Sequence, residues 1–499
     1  MDAKKRTRNQ NACDICRSRR VKCRFVDNEV VCEGCQFLGV SCTSDRPRRK
    51  RGPPNRYASK TISVFDREQS FTHPLSPASF PPSTSSTETP FLPGSPNYSH
   101  PHDILALLGP RPLIDSILGD WFTHIHPLAP VLHRRHFLAR LGNNDANNDR
   151  AFCGLVISVI CATCATLRRK SFAKYLPITI ERCVSLVRSH DFLPADGPYT
   201  PDWCIAKYNL ATASMAQKGL SDSWTHRTFG ESVTGTRYLL TYRADSLQTL
   251  DVEMLKRLYC LLEISAINVD MLGQPTLGRL ACDRSEPIYP HPYTDFELDA
   301  LASPIPGAST NIQLIPSDKT TYVPGLMYLR STFHTWHTCQ TDRFYLPPSQ
   351  VLAAGLSAIQ TIIDTLPPEL RWRGGLSRPT NAMLGHDVQI ANVFITVLYV
   401  RSNLLQQFGD PAGTENKEEH QRIVSDLLEV LCHLPREILK ANGYSLIPKI
   451  RDIGAAYLEV LKADVDGRLV EIGDEAREKM ERLLGQLGIL DFRPGVDGS

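Results

Sequence analysis

Six of the fifteen cysteines in this 499-residue chain fall at positions 13, 16, 23, 32, 35 and 42, a C-x2-C-x6-C-x8-C-x2-C-x6-C pattern. The stretch has too few large apolar side chains to build a core of its own, so its thiols must organise it. The opening residues, MDAKKRTRNQN, lack the apolar run of a secretory leader, and a reducing compartment is the expectation. There, clustered cysteines read as metal ligands before disulfides. Zinc-bound thiolates favour a tetrahedron, and C-x2-C lets two sulfurs reach one ion across a turn. One zinc needs four ligands and leaves two thiols spare. Two zincs need eight positions from six sulfurs, so two sulfurs must bridge; that solution uses every cysteine.

Charge points the same stretch at a polyanion. The net charge of +3 is small, but residues 1–60 hold sixteen Lys/Arg against six Asp/Glu, a net +10. The remaining residues carry 40 against 47, a net −7. A basic head on a mildly acidic body is the signature of a nucleic-acid partner at the N-terminus. Cations are densest between the second and third cysteines, in Arg17-Ser18-Arg19-Arg20-Val21-Lys22, and again in Arg48-Arg49-Lys50-Arg51.

At these residues the chain resembles the fungal binuclear zinc cluster transcription factors. Their pattern is C-x2-C-x6-C, a loop, then C-x2-C and a last cysteine six to nine residues on, and every gap here fits. The resemblance implies two zinc ions. It also implies that Cys13 and Cys32 bridge them, with Cys16 and Cys23 completing one shell and Cys35 and Cys42 the other. The loop at 25–31, FVDNEVV, departs from the family in having no proline. By the same resemblance Arg20 stands where a family lysine reads a CGG triplet, with Arg19 and Lys22 beside it. Physical reasoning agrees: a short helix starting near Cys16 enters a major groove when cations line its exposed side. Arginine there can donate to guanine O6 and N7 with two bonds. Arg17 and Arg24 are read as phosphate contacts.

Composition divides the chain into five parts. Residues 1–12 are a disordered basic lead, and 13–42 are the zinc cluster, a small zinc-organised α module. Residues 43–60 form a basic linker in which Arg48, Arg49, Lys50 and Arg51 serve nuclear import or grip phosphates. Gly52-Pro53-Pro54 stops any helix from continuing through it. Residues 61–102 are a Ser/Pro/Thr-rich tether that cannot bury enough surface to fold. Its Ser76-Pro77, Thr89-Pro90 and Ser95-Pro96 pairs are candidate phosphorylation sites. Relatives dimerise through a heptad coiled coil after such a linker, but Ile62, Val64 and Phe65 do not extend into an a/d repeat, which leaves homodimerisation open.

Residues 103–490 read as a large all-α regulatory body. Leu113, Ile114, Ile117, Leu118, Trp121, Phe122 and Ile125 recur at helical spacing. Further apolar stripes place helices over 328–339, 349–365, 388–408, 420–434, 447–463 and 475–484, and strand alternation is scarce. Three stretches resemble the middle homology region of the same family: 122–141, 208–220 (YNLATASMAQKGL) and 256–275 (KRLYCLLEISAINVDMLGQP). Gln274 stands where the third would have arginine. Two tempting motifs read as structure. His124, His126, His133 and His136 fit a helix end followed by a Pro-broken turn, and Cys161-x-x-Cys164 fits two buried thiols in a helix core. The uncharged run at 151–167 spans about 25 Å as a helix, short of the roughly 30 Å of a hydrocarbon core, so no membrane span is expected.

Together these readings predict a nuclear, sequence-specific DNA-binding factor for RNA polymerase II genes. It would bind double-stranded DNA and the transcription machinery, with activation favoured over repression. No Walker loop, G-x-G-x-x-G, H-E-x-x-H or G-x-S-x-G motif suggests catalysis. The rival reading is a zinc-knot protein-interaction adaptor, which would have no use for the surplus of cations.

Overall fold

The computed structural model describes residues 13, 14, 16, 23, 31–43, 104–167, 177–219, 221–273, 288–302, 312–374, 383–410, 413–462 and 473–490. Two compact units emerge, Met1–Gly94 and Ser95–Ser499. Among the described residues every regular element is helical, and none is a strand.

Among the described residues of the first unit, α1 spans Glu33–Leu38. Cys32 is its N-cap, in extended backbone, and the Cys32 carbonyl accepts from the N–H groups of Cys35 and Gln36 at 3.0 Å each. Gly39 ends it with φ +63°, a left-handed conformation that costs glycine nothing. Its N–H donates to Gln36 (3.2 Å), and the Val40 N–H reaches back to the Cys35 carbonyl (3.1 Å).

The second unit is a stack of helices around one large core that runs from Leu105 to Leu490, with a small separate cluster of Val388, Ala391, Ile438 and Ala441. Its first half contains α2 (Arg111–Asp120), α3 (Arg134–Gly142), α4 (Arg150–Leu167), α5 (Ile180–Ser189), α6 (Pro201–Lys218), α7 (Ser223–Tyr242) and α8 (Thr249–Met271). The second half contains α9 (Asp295–Asp299), α10 (Val323–Asp342), α11 (Pro348–Asp364), α12 (Leu384–Phe408), α13 (Thr414–His433), α14 (Arg436–Asn442), α15 (Ile447–Lys462) and α16 (Asp474–Leu490). Side chains set many of the starts, as expected of orphan N–H groups. Thr179 caps α5, Thr200 caps α6 just before Pro201, Asp222 caps α7, and Thr294 with Glu297 forms a capping box on α9.

Two helices lie at the centre. α4 packs against α6, α5 and α2, while α12 is enclosed by α10, α11, α13, α14 and α15. Both are long and apolar enough to cross a membrane by length and composition, yet 78% and 89% of their most apolar windows are buried against other parts of the protein. Their apolar character is explained by helix neighbours on nearly every side. The helix read from Leu113 to Ile125 is α2 followed by a single π turn, Trp121–Ile125, closed by the His126 N–H on the Trp121 carbonyl at 2.8 Å. One extra residue in that turn is invisible to a 3.6-residue periodicity.

Candidate metal centre and nucleic-acid interface

Local geometry gathers the thiols. Each C-x2-C folds as a helical turn: the Cys16 N–H donates to Cys13 Sγ (3.4 Å), and Cys32 caps the turn that carries Cys35. The ends of the segment are tied together, because the Asp14 N–H donates to the Thr43 carbonyl (2.8 Å) and the Thr43 hydroxyl to the Asp14 carboxylate (3.3 Å). Sγ atoms of Cys13, Cys16, Cys32 and Cys35 all lie within 4.8 Å of one another, and all four side chains are buried. Sγ separations are 3.7 Å for Cys13–Cys32, 3.6 Å for Cys13–Cys35 and 3.5 Å for Cys16–Cys32. None is a disulfide. Sulfurs at 2.3 Å from one zinc sit about 3.8 Å apart along a tetrahedron edge, so these thiols are already at ligand spacing.

Cys23 and Cys42 are half-buried and pack against the other four, and Cys23 Sγ accepts from the Cys13 N–H (3.5 Å). Their placement splits the six into two overlapping sets. Cys16 interacts with Cys13, Cys32 and Cys23, and Cys35 with Cys32, Cys13 and Cys42. Cys13 and Cys32 belong to both. Acidity follows the same division. Burial raises every one of these thiols except Cys42 first and foremost, and Cys16 ends at about 12, with Cys35 also well above the usual thiol range. At Cys32 burial is outweighed by the Cys35 N–H and by the thiols of Cys16, Cys35 and Cys13, and its acidity rises instead. Cys13 moves the same way: the Cys16 N–H and the thiols of Cys16 and Cys35 overcome its burial. Six such thiols cannot ionise together without cations among them. A pair of zinc ions would supply that charge and a closed, purely structural coordination.

The DNA-facing residues expected from sequence, Arg17, Arg19, Arg20 and Lys22, lie outside the described residues, as do Arg48, Arg49, Lys50 and Arg51 and the tether at 61–102. Sequence reasoning missed the Asp14–Thr43 tie, for which no spacing rule exists. It also missed the outer surface of α1, where Phe37 is 91% exposed with Leu38 and Val40 beside it.

Of the four histidines at 124–136, three make contacts within the helical body. His133 Nδ1 accepts from the His136 N–H (3.2 Å), and its Nε2 lies 2.9 Å from the Asp295 carbonyl. His126 packs between Phe122 and Tyr322. Among the described residues the four cysteines are the one grouping with metal-ligand spacing. Cys161 and Cys164 are both buried in α4, and the thiol that Cys161 meets is Cys183 of α5.

Residues 11–51 match the family profile described as the Fungal Zn(2)-Cys(6) binuclear cluster domain, and the chain carries a member of that family at its N-terminus. Such a domain holds two zinc ions, and zinc is the cofactor of this segment. Among known proteins, the glucose transport transcription regulator RGT1 of Saccharomyces cerevisiae is 45% identical over 58 residues, 12% of this chain and 5% of the relative. RGT1 of Lachancea thermotolerans is 39% identical over 54 residues (11% and 6%). The transcriptional regulatory protein EDS1 of Saccharomyces cerevisiae is 40% identical over 83 residues (17% and 8%). The chain thus matches only 5–8% of the length of these relatives, all named as regulators of transcription and none as an enzyme. No solved structure matches the chain.

Proposed function

We propose that this chain is a nuclear, sequence-specific DNA-binding regulator of transcription. In this reading Cys13 and Cys32 bridge two zinc ions, Cys16 and Cys23 complete one shell, and Cys35 and Cys42 the other. What supports it is the pair of overlapping thiol sets that share Cys13 and Cys32, inside a domain that transcription regulators carry. Six thiolates and two dications add −2 to the +10 of residues 1–60, leaving about +8, ample for salt-dependent phosphate binding. Arg20, flanked by Arg19 and Lys22, reads the guanines of a CGG-type triplet, Arg17 holds phosphate, and Arg48–Arg51 serve import or the DNA backbone.

The helical body is read as a middle homology region that regulates or assembles the factor. Two of the three stretches that carry this resemblance are joined by a buried bond. Arg257 of α8 donates to the Pro130 carbonyl (3.2 Å) and to that of Tyr293 (2.9 Å). The stretch at 208–220 lies in α6, which packs on α8.

Gel-shift titration of the full chain against a CGG duplex and a scrambled one tests this reading. Arg20→Ala should remove the preference for CGG, worth about 1–3 kcal/mol for a bidentate guanine contact, and leave binding to scrambled DNA mostly intact. No CGG preference at any salt would sink the proposal, and equal losses on both duplexes would reassign Arg20 to phosphate. Activation is the proposed sign of regulation: residues 61–499 tethered to a foreign DNA-binding domain should raise, and not lower, a reporter.

A further inference from the structure

One unexplained feature of the second unit is a cavity of about 210 Å³ where α4, α6, α8, α10, α12 and α15 converge on the π turn. A water needs roughly 10–15 Å³ of such space, so this volume accommodates a small organic molecule. Its walls are largely apolar, with Trp121, Leu261, Ile264 and Phe333 prominent, and Lys449 of α15 lines it as well.

Lys449 is the anomaly. It is 4% exposed and has no carboxylate partner among the described residues. Its ammonium donates to the Thr396 hydroxyl (2.7 Å) and the Asn392 amide oxygen (3.3 Å) and lies 5.3 Å from the centre of the Phe333 ring. An ammonium has three hydrogens, so one is left over. Burial pushes its pKa down to about 7, and its place in the first turn of α15 sets it at the positive end of a helix dipole, where an anion is favoured. An isolated buried cation is costly and is ordinarily matched by an acid.

Two of the lining residues also carry a buried polar atom without a partner among the described residues. Trp121, 1% exposed, lines the cavity, and its indole Nε1 has no acceptor among the described residues. Asn268 is also on the lining, and its buried Oδ1 has no donor among the described residues. Trp121 opens the π turn, a distortion that recurs at functional sites.

We infer that the helical body binds a small apolar carboxylic acid in this cavity, with the carboxylate on Lys449 and the apolar part against Trp121, Ile264 and Phe333. One cation in an apolar enclosure matches one negative charge. A phosphate's second charge would be left uncompensated there, which excludes phosphate esters as the preferred class. The inference concerns the second unit alone and stands whether or not the first unit reads CGG triplets.

Calorimetric titration of the zinc-loaded full chain with octanoate and with phenylacetate, each paired with a neutral counterpart (octanol and phenylacetamide), tests it. The acid of at least one pair should bind at least about tenfold tighter than its counterpart. Lys449→Met should erase that preference while the neutral molecule still binds, and Ala162→Phe, which fills the cavity from α4, should abolish both. The comparison of acid with neutral counterpart needs no variant, so it holds even if a substitution harms folding. The inference is overturned if neither acid binds at millimolar concentration. It is equally overturned if acids and neutral counterparts bind alike, or if folded Lys449→Met retains the preference.

Discussion

Glu263 and Arg330 form an ion pair at 2.7 Å with both side chains only 8% exposed. Removing Arg330 leaves the buried Glu263 with only His334 Nε2 at 3.9 Å, at a cost of about 3–5 kcal/mol, whereas replacing both partners with apolar residues of similar size is often close to neutral. Arg330→Leu should therefore lower the denaturant midpoint of the helical body sharply, and Glu263→Leu/Arg330→Leu should recover most of the loss; a double variant as unstable as the single one would refute the account. His126 makes a pH-dependent contribution. It is 7% exposed, and burial, reinforced by Arg257, His133 and Arg134 against the opposing Asp295, lowers its pKa to about 4. An unfolded histidine titrates near 6.5. Between the two values the unfolded chain takes a proton that the folded one refuses, so stability is lost as pH falls from 6.5 towards 4, by up to about 1.4 kcal/mol per unit. Urea titrations at pH 7, 6 and 5 should show a shallower decline for His126→Gln than for the parent. Of these residues the sequence displayed only the type. Six cysteines at fixed gaps announce a metal site because spacing and chemistry coincide, whereas Lys449 stands in an ordinary amphipathic stretch with Ile450, Ile453 and Tyr457. Only the packing of distant helices shows that its ammonium is enclosed.

Elements were the most legible level, and their ends the least. The stripe read at 388–408 is α12, Leu384–Phe408, and those at 328–339 and 475–484 are α10, Val323–Asp342, and α16, Asp474–Leu490. α10 starts earlier than its stripe because Pro324 suits a first helical turn and because Gly325 gives a neighbour room. A Cβ at Gly325 would stand 2.3 Å from the Gln389 side chain. That amide, 3% exposed on α12, donates to the Tyr322 carbonyl (2.7 Å) and to the Pro127 carbonyl (2.9 Å). One glycine thus lets α12 fasten both the entry of α10 and the loop after the π turn. Gly325→Ala should displace Gln389, leave the buried Pro127 carbonyl unpaired, reduce that of Tyr322 to the Leu326 N–H (3.3 Å), and cost about 2–4 kcal/mol. Gly119→Ala in α2 is the control, since nothing lies within 4 Å of its added carbon. That change should be neutral or stabilising by up to about 1 kcal/mol. Thermal unfolding of the two variants separates a packing effect from a helix-propensity effect, and equal melting temperatures would refute the role given to Gly325.

At the scale of the whole molecule, the two units are held together by different physics. The buried core of the first consists of cysteines alone among the described residues, with Cys13, Cys16, Cys32 and Cys35 at its centre. The second closes a core of apolar side chains from Leu105 to Leu490. For the first unit, metal affinity and folding free energy are the same quantity, because no preformed site survives in the unfolded chain. For the second, stability rests on apolar burial. A strong chelator should consequently separate them. It should extract two zincs per chain and abolish DNA binding, while the far-ultraviolet helical signal and the melting transition of the body stay nearly unchanged. Metal analysis against protein concentration and a thiol titration before chelation provide the readout. One zinc with two freely titrating thiols in the cluster would remove the bridging role of Cys13 and Cys32, since four ligands would then suffice. A collapse of the helical signal on chelation would show instead that the two units fold as one. Should the separation hold, the proposed regulation has a physical basis in the architecture: a ligand or partner acting on the helical body can act without touching the thiolates that hold the first unit, the proposed DNA reader, in shape.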